Sequence, residues 1–166
     1  MPPFTGTLPP LKAPLAETTR FRNGHWHFPE QMGNGVGFIY VIRDKVLNRH
    51  YLGKKLYQGH GVKNKGKESN WRTYKSSSKT ISEIMAQRPA DEFEFICLEE
   101  YKAKGALAYA ETWTLCLVEA PTTVEWYNTR IEAISWPVKE KITDRHKARL
   151  QAILAGKDFS KERHVA

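Results

Sequence analysis

The stretch from Gly37 to Lys55 constrains this chain most. Gly37-Phe38-Ile39-Tyr40-Val41-Ile42 is an apolar run, and His50-Tyr51-Leu52-Gly53-Lys54-Lys55 follows a polar bend through Arg43-Asp44-Lys45 and Asn48-Arg49. Two such runs joined by charged turn residues predict a β-hairpin. With the turn centred between Val46 and Leu47, Tyr40 stands opposite Gly53 and Ile42 opposite Tyr51. Side chains of like parity share a face, so both phenols project from one side of the sheet. Gly53 then leaves an open floor beside Tyr40. A register slip of one residue would send Tyr51 to the far face.

A chain of 166 residues and 19.1 kDa suits one domain with an ordinary core. Its net charge of +8 points to a polyanionic partner, nucleic acid first and an acidic membrane surface second. Cys97 and Cys116 sit in apolar runs without metal-ligand spacing and read as reduced core residues. No apolar run is long enough to cross a membrane. The opening residues lack the basic and apolar regions of a signal peptide, so a cytoplasmic location is expected.

Residues 1 to about 15 are proline-rich and predict an extended or disordered arm. Arg20-Phe21-Arg22-Asn23-Gly24-His25-Trp26-His27-Phe28 alternates bases with aromatics. Such a segment could stack on nucleobases, but packing of Trp26 and Phe28 on the domain is the favoured reading. From Gln58 to Lys75 a long loop carries Lys63, Lys65, Lys67, Arg72 and Lys75. Loops of this length in a compact domain are usually functional or disordered, and its cations suit a phosphate backbone.

Thr80-Ile81-Ser82-Glu83 fits a helix-capping box, and Pro89 ends the helix that follows. Phe93 to Leu98 predicts a third strand, with Phe93, Phe95 and Cys97 on one face. A helix from about Ala103 to Glu119, ending before Pro121, places Leu107, Glu111, Leu115 and Val118 on one face. A carboxylate among apolar neighbours is costly unless it is paired or bound to a metal. Two readings of Glu111 stand here: a salt bridge to a loop cation, or a metal ligand. In the tail, Thr143 or Asp144 caps a helix stopped by Gly156, with apolar Leu150 and Ile153 and basic Arg145, Lys147 and Arg149. It is read as packed on the core, with a DNA-tracking surface as the other possibility.

The order of these parts resembles the GIY-YIG nuclease superfamily, in its phage-encoded endonuclease branch. Phe38-Ile39-Tyr40 stands for the first motif and Tyr51-Leu52-Gly53 for the second, with Phe38 where the family has glycine. Trp71, Tyr74 and Ser77 lie in a segment similar to one that follows the second motif in phage members. Leu98-Glu99-Glu100 is similar to the end of the third strand, Ala110-Glu111-Thr112-Trp113 to the helix bearing the metal-binding glutamate, and Asn128 to the asparagine closing the active site.

The resemblance implies an α/β fold, a small three-stranded sheet flanked by helices. It also implies a metal-dependent DNA endonuclease that hydrolyses phosphodiester bonds. Residues 1–36 would form the arm and lead-in, 37–136 the nuclease domain and 137–166 a basic helical extension. Glu111 would hold Mg²⁺, or another divalent cation such as Mn²⁺, since hard oxygen ligands and waters suit it. Tyr51 would orient or deprotonate the attacking water, its proton affinity lowered by Lys54, Lys55 or Arg72. Tyr40 would position phosphate or water, Arg72 matches the family's arginine, and His60 is a candidate for its occasional histidine. Lys54, Lys55, Lys63, Lys65, Lys67, Trp71 and Lys75 would contact nucleic acid. The alternative is a nucleic-acid-binding module that keeps the fold without catalysis.

Overall fold

The computed structural model describes residues 21–132, 138 and 140–162. The expected proline-rich arm of residues 1 to about 15 lies outside them. The hairpin forms as its pattern dictates: β2 is Gly37–Asp44, β3 is Arg49–Leu56, and their register pairs Tyr40 with Gly53 and Ile42 with Tyr51. Asp44 organises the bend, accepting from the Val46 and Leu47 amides, and Asn48 takes the left-handed conformation at φ 50°. β4, Phe93–Tyr101, pairs antiparallel with the other side of β2, with a register shift between Ile39 and Tyr40.

Trp26–His27 adds a short strand, β1, parallel to β4, so among the described residues the sheet has four strands, one more than expected, in the order β1-β4-β2-β3. Two residues followed by Phe28-Pro29 give no alternating pattern to detect. Trp26 and Phe28 are fully buried, so the lead-in packs rather than presenting its aromatics to a nucleic acid.

Among the described residues three α-helices accompany the sheet: α1 Lys79–Ala86, α2 Lys104–Leu117 and α3 Asp144–Leu154. α1 starts earlier than the expected capping box. Ser78 is its N-cap and makes no side-chain cap bond. Pleating sends alternate side chains into two cores. Ile39, Val41, Leu52, Ile96 and Leu98 meet Leu107 and Leu115 of α2 and Leu150 and Ile153 of α3. Phe38, Tyr40, Ile42, Phe93, Phe95 and Cys97 meet Trp26, Trp71, and Ile81 and Met85 of α1.

α3 packs on the core. Thr143 caps it by accepting from the His146 amide. Arg149 is buried, donating to the Cys97 and His27 carbonyls and to Glu162. Among the described residues no helix is long and apolar enough to cross a membrane.

Candidate active site

Tyr40 and Tyr51 leave the hairpin on the same face, ring centroids 6.3 Å apart. Tyr40 lies directly over Gly53, where any Cβ would overlap its ring and hydroxyl. Tyr74 meets the Tyr40 ring edge-on at 6.2 Å, and the Lys55 ammonium sits 3.9 Å from the Tyr74 ring centroid. Ser76, two residues on in the same loop, lowers the proton affinity of both Tyr40 and Tyr51.

Glu111 comes from the other side of the sheet. Lys54, opposite Ile39, points to the face that α2 covers, and its ammonium donates to Glu111 Oε1 at 2.6 Å. Glu132 Oε2 lies 3.5 Å from the same nitrogen. Tyrosines and glutamate thus flank the edge strand β3 and meet at its rim. One cavity of about 650 Å³ is lined by Tyr40, Tyr51, Lys54, Lys55, Tyr74 and Glu111.

Asn128 acts on the edge of β3. His50 donates its amide to the Glu125 carbonyl, and the Tyr127 amide donates back to the His50 carbonyl. Two residues on, the Leu52 amide donates to Asn128 Oδ1 at 2.9 Å and the Leu52 carbonyl accepts from Nδ2 at 2.8 Å. The side-chain amide thus continues a parallel ladder where the backbone leaves it. The Lys54 backbone, next along this edge, favours the ionised form of the Glu111 carboxylate. Backbone and asparagine protect this edge in turn.

The profile described as "Putative endonuclease segE, GIY-YIG domain" matches residues 21–131, more than half of the chain. The chain belongs to this GIY-YIG family. Comparison with curated proteins and with solved structures found no match.

Not every residue suggested by the GIY-YIG resemblance reaches the cavity. Arg72 pairs with Glu68, donates to the Arg22 carbonyl at 3.0 Å and stacks over Trp71 at 4.3 Å, away from the tyrosines. Trp71, expected to contact nucleic acid, is a core residue: it is 2% exposed and donates its indole N–H to Glu68. Lys63, Lys65, Lys67 and Lys75 are exposed. The first three ride a compact excursion closed by the Gln58–Glu68 bridge and the bond from the Gly59 amide to the Lys67 carbonyl. His60 lines the cavity, as do Ser77, Lys104 and Glu132, which sequence reasoning did not assign. Tyr74 was legible only as part of a motif, because its contact with the Tyr40 ring is made by loop closure.

The electrostatics correct one expectation. The Tyr51 hydroxyl is pushed up, not down: burial raises its proton affinity, Glu111 adds to that, and the influence of Ser76 only partly opposes it. Tyr40 is raised further, chiefly by burial. Glu111 is raised by burial against the pull of Lys54. Lys54 itself is raised because its two carboxylates outweigh its burial.

A partly buried carboxylate opening onto a cavity is a suitable inner ligand for a hard cation that keeps most of its waters. Among the described residues no three His, Cys, Asp or Glu side chains converge, so a cage made entirely of side chains is absent there.

Proposed function

We propose that the protein is a metal-dependent DNA endonuclease that hydrolyses phosphodiester bonds. The observation that carries this reading is the meeting of Tyr40, Tyr51 and Glu111 in one open cavity walled by Lys54, Lys55 and Lys104. A divalent cation, Mg²⁺ or Mn²⁺, held by Glu111 would supply Lewis-acid polarisation of the phosphate. The cavity's lysines attract the polyanion and the exposed Lys63, Lys65 and Lys67 extend that field. Tyr51 and Tyr40, both neutral at physiological pH, orient the attacking water and a phosphate oxygen by hydrogen bonds. Asn128 is a positioning residue: by clamping Leu52 it fixes Tyr51 and Gly53 on either side.

Two observations favour a second reading, a binding module without catalysis: Arg72 lies outside the cavity, and Glu111 is already neutralised by Lys54. Supercoiled plasmid incubated with the protein and Mg²⁺, with and without EDTA, separates the two. EDTA-sensitive nicking supports the nuclease. A salt-dependent gel shift with no cleavage supports the binding module.

A further inference from the structure

Lys54 stands where a cation bound to Glu111 would stand. Its ammonium lies 2.6 Å from Glu111 Oε1 and 3.5 Å from Glu132 Oε2, bridging a carboxylate that is 13% exposed and one that is 77% exposed. Lys55 on the same strand is engaged elsewhere, donating to Asn70 at 3.0 Å and covering Tyr74. Among the described lysines, Lys54 alone pairs with Glu111.

We propose that Lys54 is a resident counter-cation: it occupies Glu111 until a divalent metal displaces it, and it then turns to the phosphate of the nucleic acid. The inference rests on the reading of Glu111 as the metal ligand. An ammonium and a divalent ion held side by side on one carboxylate repel strongly in a partly desolvated site. One of them must leave. Lysine is suited to do so, being a compact charge on a flexible four-carbon stem. Glu132 at the rim keeps a second acceptor within reach as it moves. The Lys54 backbone, which also favours the ionised Glu111 carboxylate, stays in place when the ammonium departs.

The arrangement couples the two ligands. Metal binding releases the ammonium for a phosphate, and a phosphate draws the ammonium from the carboxylate. By linkage each then favours the other to the same degree.

The test is a Mn²⁺ titration of the full chain followed by electron paramagnetic resonance, without nucleic acid. The proteins compared are wild type, Lys54→Met, Lys54→Gln, Lys54→Arg and Glu111→Gln. The two neutral variants should bind Mn²⁺ tighter by about tenfold, the scale of a modest neighbouring-charge effect. Lys54→Arg keeps the charge and grips the carboxylate through a fork, so it should bind more weakly than wild type. Folded neutral variants with unchanged or weaker Mn²⁺ affinity would overturn the inference while leaving Glu111 as ligand, provided Glu111→Gln abolishes binding. If the neutral variants do not fold, Lys54→Arg decides, and affinity equal to or above wild type overturns the inference. Wild-type binding that Glu111→Gln leaves unaltered removes the ligand assignment and this inference together.

Discussion

Tyr40 and Gly53 are cross-strand partners in which the ring of one fills the space a side chain on the other would take. The glycine of the second motif is thus a steric requirement of the tyrosine in the first. Gly53→Ala should cost about 1–3 kcal/mol in a thermal melt, the usual scale of overpacking. In a Tyr40→Ala background the same methyl group should cost much less. A double-mutant cycle measures the coupling, and additive effects would dissociate the two residues.

Asn128 continues the β3 edge with both ends of its amide. Asn128→Ala leaves the Leu52 N–H and C=O without those partners, and stability should fall by about 1–3 kcal/mol. Hydrogen exchange at the Leu52 amide should accelerate by more than exchange in β4. Unchanged protection at Leu52 would show that the clamp does not hold the strand in solution.

The hairpin register was legible because parity, turn residues and one glycine all demanded the same pairing. Glu111 was legible because it broke an apolar helical face. Its partner was not: Lys54 is 57 positions away, and the first expectation was a cation from the loop. The side from which Glu111 approaches depends on which face α2 covers, and a single strand's alternation does not carry that. Trp71 misled because an aromatic among cations looks alike whether it stacks on a base or enters a core. β1 was too short to show a period at all.

Asp44 ties the hairpin to the rest of the fold. Burial opposes its ionisation, but bonds from Arg88, the Leu47 amide and the Tyr127 hydroxyl outweigh it and hold the carboxyl well below the usual range. A depressed folded value means stability that is present above the unfolded value, about 4, and lost as pH falls. Asp44→Asn should therefore cost about 3 kcal/mol at pH 7 and progressively less toward pH 3. Denaturant melts across that range give the slope, and a cost independent of pH would contradict the ionised network.

Lys63, Lys65 and Lys67 are exposed on a closed excursion beside the cavity, with no ion pair to any described residue. Replacing all three by glutamine should weaken binding to every duplex tested and reduce the salt slope by about one for each phosphate no longer neutralised. Stability should stay within about 0.5 kcal/mol, as surface substitutions usually do. Fluorescence anisotropy at several salt concentrations measures this, and an unchanged slope would assign the lysines to solubility.

Glu111 carries the enzyme reading, and its pairing with Lys54 sets what removal should do. The carboxylate is not uncompensated, so Glu111→Ala frees no large stored energy. Lys54 keeps Glu132 and solvent, so the loss is not that of a fully buried charge either. A net change within about 1 kcal/mol at pH 7 follows. The pH dependence is sharper. Burial raises the Glu111 carboxyl above its unfolded value, so the folded state holds that proton more readily. Its contribution to stability is then fully present below the ordinary carboxylate range and lost as pH rises through the folded value. Glu111→Gln removes that titration, so wild type should gain on the variant as pH falls from about 7 toward about 4, where an ordinary carboxylate titrates. Mg²⁺ should raise the melting temperature of wild type by mass action and leave Glu111→Gln unaffected. Plasmid nicking should vanish in the variant while the gel shift persists, because the exposed cations are intact. A folded Glu111→Gln protein that nicks plasmid at the wild-type rate would remove Glu111 from the chemistry.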